Sequence, residues 1–281
     1  MNLAFSRGLF LAVLISSRLA ISGDVSYVVL NGRPSTSGLV RVSEDGKLIE
    51  TIARNVTGYG LAIDHNGDYI VAAVSQLLRV SRSGQVSTIA DTPGGSQWMS
   101  VVVEPSGDFL VADNRQHALW RVGSNGAFLK ISNYPAPRRV LEDVEIAIDE
   151  SGNYLVIEEN STTGLFRVTP QGTMEPVPLR GDRIPRGGHI ILDGSGGYLA
   201  TSLPNQVFRV TSTGEATLLA TLPGKVAFGL ARNPSTGEIV VGQGRPASLA
   251  RLSSDGKTVS ILAADPNSLQ FPVAVIVEDA K

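Results

Sequence analysis

The sequence predicts an all-β fold: a six-bladed β-propeller of four-stranded antiparallel blades, closed by the C-terminal strand joining the N-terminal blade. Three observations carry this. Short apolar runs alternate with glycine turns, a two-part unit recurs along the chain, and the two chain ends hold complementary halves of one unit.

The unit is clearest from Trp98 to Lys130, WMSVVVEPSGDFLVADNRQHALWRVGSNGAFLK. VVVE reads as a first strand, PSGD as a turn, FLVAD as a second strand and NRQH as a loop. ALWRV is the third strand, SNGA a second turn, and FLK opens the fourth. Strands this short and this regularly punctuated form an antiparallel meander. One such sheet cannot bury both of its faces, so neighbours must stack on it.

The third strand recurs as an arginine followed by valine or leucine, at Arg41, Arg79, Arg121, Arg167, Arg209 and Arg251, spaced by 38, 42, 46, 42 and 42 residues. A glycine turn follows each one. The earlier turn recurs only five times, as DHNGD, EPSGD, DESGN, DGSGG and NPSTGE. The missing part lies at the far end, where FPVAVIVE from Phe271 to Glu278 has the pattern of a first strand with no unit after it. SYVVLNG, from Ser26 to Gly32, reads as a second strand with no first. Joining the two completes six sheets in a ring. An open solenoid is the alternative, and it would leave an unpaired strand at each end.

The blades then cover 58–93, 98–135, 140–179, 187–223 and 227–266, with 26–53 joined to 271–278 as the remaining one. First strands line the central channel. Glycine turns lie on one face of the ring and longer loops, such as 91–97 and 180–188, on the other, the loop face where function is expected. The acids before the turns, Asp64, Glu104, Asp149 and Asp193, are expected to accept backbone N–H bonds. The six arginines are expected to lay their stems along the sheets with their heads near the turns.

Residues 1–22 stand apart. Arg7 precedes the apolar run Leu9–Ser17, and Ala20 and Ser22 supply small residues for cleavage before Gly23. This predicts a cleaved signal peptide over 1–22, a single propeller domain over 23–281, and a secreted or periplasmic protein. N-terminal sequencing of exported material checks it: the chain should start near Gly23, and a start at Met1 would overturn the expectation. The run is too short to span a bilayer. There is no cysteine, so no disulfide supports an exported fold. A net charge of −2 with no basic patch argues against nucleic acid as a partner.

Chemistry should sit where one blade departs from the others. Laid over one another, the first strands give a ring of Gly60, Ser100, Glu145, His189, Gly229 and Ala274. The ends of the second strands give another, of Asn31, Ala73, Asp113, Glu158, Ser202 and Gln243, with Asn114 and Glu159 beside it. Glu145, His189, Asp113 and Glu158 are thereby brought toward the channel mouth. His189 and Glu145 are the candidate acid–base pair, and Asp113, Glu158 and Glu145 the candidate ligands of a divalent cation, calcium or magnesium. The plainer readings are a hydrogen-bonded structural histidine and an ion pair of Glu145 with Arg138 or Arg139. His65 and His117, in a turn and a loop, are expected to face solvent.

GDFLVADNRQHALWRV resembles an NHL repeat, and the likeness extends more weakly over all six units. Six-bladed relatives with similar repeats include the streptogramin B lyases and the gluconolactonase-like hydrolases. The resemblance implies a metal or acid–base site on the loop face, and equally a binding scaffold without turnover. The aspartate after the second strand is present as Asp113, becomes Glu158 in the next unit and is absent elsewhere. No G-x-S-x-G, H-E-x-x-H, EF-hand or phosphate-loop motif occurs. Two functions stay open. One is a monomeric scaffold holding a small molecule or protein partner on the loop face; the other is a metal-assisted lyase or lactone hydrolase at the channel mouth.

Overall fold

The computed structural model describes residues 25–32, 37–135, 144–158 and 164–279, without the side chains of Glu158 and Asp279. The predicted signal segment, Arg138, Arg139 and Glu159 lie outside the described residues. Six sheets form the ring, all antiparallel within the four-stranded units. Blade 1 takes Pro272–Asp279 as its first strand, followed by Val25–Asn31, Gly38–Ser43 and Ile49–Arg54. Val25–Asn31 and Pro272–Asp279 pair over almost their whole length, so the ends of the chain close the ring as the sequence predicts.

Blades 2 to 6 have first strands at Gly60–Ile63, Trp98–Val103, Val144–Ile148, Gly187–Leu192 and Lys225–Arg232. Their second strands are Tyr69–Ala72, Phe109–Asp113, Tyr154–Glu158, Tyr198–Ser202 and Ile239–Arg245. The second strands are apolar and buried because each lies between two neighbouring blades. The core is therefore divided into six seams. Leu61, Tyr69 and Val71 of blade 2, for example, pack on Val28, Leu30 and Ala274 of blade 1. Part of the predicted loop 180–188 is a fifth strand: Arg180–Gly181 runs parallel to Glu215–Thr221 and covers the outer edge of blade 5.

The repeated acids and arginines, read separately in the sequence, meet in space. Arg79 reaches Asp64 (3.1 Å), Arg121 reaches Glu104 (2.6 Å), and Arg167 reaches Asp149 (3.2 Å). In three seams the recurring arginine bonds a tyrosine hydroxyl on the following blade: Arg41 to Tyr69 (2.7 Å), Arg121 to Tyr154 (2.6 Å) and Arg167 to Tyr198 (3.0 Å). The aspartates accept backbone N–H bonds as expected, for instance Asp64 from Asn66 and Asp68. Glu104 differs. Its longer side chain spends both oxygens on Arg121 and also takes the Tyr154 hydroxyl. These contacts clasp blade to blade on the turn face, away from the loops.

Candidate functional site

The predicted first-strand ring exists at one level of the channel. A Cβ on Gly60 would lie 2.7 Å from Ser100 Cα, and one on Gly229 would lie 2.4 Å from Ala274 Cα, so glycine is required where these strands converge. Between them, Ser100 Oγ donates to Glu145 Oε2 at 2.7 Å, and Glu145 Oε1 stands 3.4 Å from His189 Nε2. Three blades thus contribute a linked serine, carboxylate and imidazole. Burial pushes the imidazole down to about 4, while its hydrogen bond to the Val273 backbone pulls upward. At neutral pH the ring is neutral. It is therefore a proton acceptor held beside a carboxylate.

Above this layer the loop face encloses a cavity of about 440 Å³. Its lining mixes apolar side chains (Met99, Leu203, Val226, Phe228, Phe271 and Val273) with polar ones (Tyr59, Gln97, Asn114, Glu145, Arg186 and His189). Below it runs the channel, about 330 Å³, formed by the inner strands. Glu145 and His189 border both spaces.

Bulges at the loop ends of four first strands build the wall. Register shifts leave Met99 unpaired in blade 3, Gly188 and His189 in blade 5, Phe228 and Gly229 in blade 6, and Val273 in blade 1. An extra residue turns the strand and re-aims side chains, and five of these six residues line the cavity. Among the described residues the first strands of blades 2 and 4 pair without a bulge, and Glu145 arrives from a regular strand. Thr201, fully buried, fixes two bulges at once. Its Oγ1 accepts the His189 N–H at 2.9 Å and donates to the Phe228 carbonyl at 3.3 Å.

The second-strand ring has a different duty. Asp113 Oδ1 accepts the backbone N–H groups of Gln97, Arg115 and Gln116, each at 3.0 Å, and Oδ2 takes the Trp120 indole at 3.2 Å. Asn31 holds the incoming loop of blade 1 in the same way, through Ser268 and Gln270, and Ser202 holds Arg186 N. Asp113 is an anchor of its loop, with four donors already on its carboxylate, and Asn114 is the neighbour that reaches the cavity. Glu158 occupies the equivalent backbone position in blade 4, and its side chain is outside the described residues.

Among the described residues no three acidic or histidine side chains gather closely enough to hold a metal. Asp113 already accepts four donors, and the side chain of Glu158, another of the expected ligands, lies outside the described residues. His65 is exposed as expected. His117 is half-buried, correcting the expectation, because its ring stacks edge-on against Tyr134 at 5.9 Å.

Sequence reasoning missed Met99, Phe228, Phe271 and Val273. The only signal was the cluster Gly229, Gly242 and Gly244 in blade 6, too many glycines for ordinary strands.

No protein-family model matches the chain, and no curated protein matches it significantly. Solved structures similar to it include a streptogramin B lyase, 18% identical over 74% of this chain and 70% of that one, with a TM-score of 0.60. Another is a catalytically inactive histidine-to-alanine virginiamycin B lyase from Staphylococcus aureus with quinupristin, at 13% identity, 90% and 89% coverage and TM-score 0.64. A chain of a nidogen/laminin complex gives 10% identity, 90% and 98% coverage and TM-score 0.73. At such identities the likeness is one of fold, and the chain is a six-bladed β-propeller resembling the streptogramin B lyases in architecture.

Proposed function

We propose that this propeller binds a small amphipathic organic molecule in the loop-face cavity. The observation that carries the reading is the cavity itself: about 440 Å³, lined by apolar and polar side chains together and bordered by the Glu145–His189 pair. Its volume is in the range of small-molecule sites, and a few convergent polar groups on an apolar surface are what such sites use for orientation. A thermal-shift screen of fragments tests it, with Leu203→Trp as the control that fills the cavity from its rim. A binder at about a hundredfold excess over Kd should add about 2.7 kcal/mol to the stability of the wild type. The variant should show none of that gain. Hits that stabilise both proteins equally, or no hits, would overturn the reading.

A second reading, turnover of the bound molecule, is supported by one specific feature. His189 is neutral, lines the cavity and faces Glu145, which Ser100 holds. A neutral imidazole can take a C–H proton from a bound ester and pass it to the departing carboxylate in an elimination, or take a proton from the water that attacks a lactone carbonyl and pass it to the alkoxide released on ring opening. Glu145 would stabilise the imidazolium formed in between. Loss of activity in a histidine-to-alanine form of one similar propeller is consistent with this.

A further inference from the structure

Building on the reading of the loop-face cavity as a ligand site, we propose that its ligand carries an aromatic ring, seated on Phe228 and Phe271, and a neutral hydrogen-bonding group directed at the opposite wall. The two phenylalanines come from blades 6 and 1, on either side of the seam between those blades. Their centroids are 5.0 Å apart and their planes meet at 57°. Both are half-buried and border the cavity, so each ring keeps an uncovered part inside a concave, largely apolar space. A ligand ring in that space can meet either phenylalanine in edge or offset contact.

The chain makes room for this pair at several points. Gly244 lies behind it, and a Cβ there would sit 2.9 Å from Phe271 Cε2 and 3.1 Å from Phe228 Cε2. The bulge between Ala227 and Leu230 sets Phe228 on the wall. Just before it, Val226 is held at φ 64°, in the left-handed region that a β-branched residue rarely adopts. The Pro204 carbonyl holds that conformation by accepting the N–H groups of Val226 (2.5 Å) and Ala227 (3.0 Å). Strain kept in a cavity wall is characteristic of residues serving a ligand.

Gln97 and Asn114, of blade 3 and so across the six-bladed ring from Phe228 of blade 6, determine the polar end with amide donors and acceptors. A carboxamide, with both a donor and an acceptor and no charge to desolvate, matches that mixture.

Titration by NMR with benzamide and with cyclohexanecarboxamide tests this, because the two share a polar group and differ in the ring. Benzamide should bind the wild type about tenfold more tightly, the expected scale for two favourable aromatic contacts. Phe228→Leu and Phe271→Leu, each first shown by circular dichroism to melt as the wild type does, should bring the two affinities together. Equal affinities in the wild type would overturn the aromatic assignment while leaving the cavity a ligand site. Binding of neither compound would overturn both. A preference for benzamide that survives both leucine variants would place the ring elsewhere and also overturn the assignment.

Discussion

Replacing Glu278 by alanine is expected to destabilise the propeller by roughly 3 kcal/mol, the scale for removing one partner of a buried ion pair. Glu278 lies on the C-terminal strand that completes blade 1, and its side chain is 4% exposed. Arg41 donates to its Oε2 at 2.7 Å, Tyr69 to its Oε1 at 2.8 Å, and Arg82 stands 3.2 Å away. Arg41 is in the same blade, while Tyr69 and Arg82 belong to blade 2. The carboxylate therefore ties the strand that closes the ring both to its own sheet and to the next one. Alanine leaves two guanidinium groups and a buried hydroxyl around an empty position. Urea denaturation checks it, and a loss below about 0.5 kcal/mol would show that closure depends on the strand ladder alone.

The same cluster gives the effect a pH dependence at both ends. Burial alone would raise the Glu278 carboxyl, but the bonds from Arg41 and Tyr69 and the charges of Arg41 and Arg82 hold it below its ordinary 4.5. As pH falls, the unfolded chain takes up this proton first, so the stabilisation is complete above pH 4.5 and lost as pH drops through the lower native value. Burial, reinforced by Glu278, raises the Tyr69 phenol from 10.0 to about 12. Here the native state keeps its proton longer, so that contribution is complete below pH 10 and lost as pH rises toward 12. The gap between wild type and Glu278→Ala should thus be flat near neutrality and narrow at both extremes.

Closure, blade number and the first-strand ring were legible in the sequence because they follow from repetition. Each rests on six positions read together, so an error in one blade is corrected by the rest. Glu145 and His189 were found as the two ionisable exceptions within that ring, and they do meet, while Ser100, a small member of the ring, gave no sign of its bond to Glu145. The cavity wall was not legible. A bulge shifts the strand by one residue, which reverses which side chains face inward. Alternation in the sequence therefore gives the wrong face for Met99 or Val273. Asp113 was legible as a departure from the repeat but not as an anchor. An aspartate that holds a loop and one that holds an ion differ only in where neighbouring N–H groups point, which sequence does not record.

His189→Gln is expected to abolish an acid-dependent loss of stability worth roughly 3 kcal/mol, the scale of lowering an imidazole from 6.5 to about 4. The unfolded chain accepts the proton near 6.5, and the native protein resists it because the ring is buried. Stability from this source is therefore complete above pH 6.5 and lost as pH falls to about 4. This window lies mostly above the one set by Glu278, so the two are separable in one protein. Wild type and His189→Gln should diverge in slope between pH 4 and 6.5, and parallel curves there would mean that the imidazole is already charged against Glu145. The same measurement bears on chemistry. A ring neutral down to about pH 4 is available as a base throughout the neutral range, so any turnover should be flat from about pH 5 to 8 and vanish in a folded His189→Gln protein. A ring charged at neutral pH would instead act as an acid, and Glu145 would be left as the only group in the pair able to accept a proton.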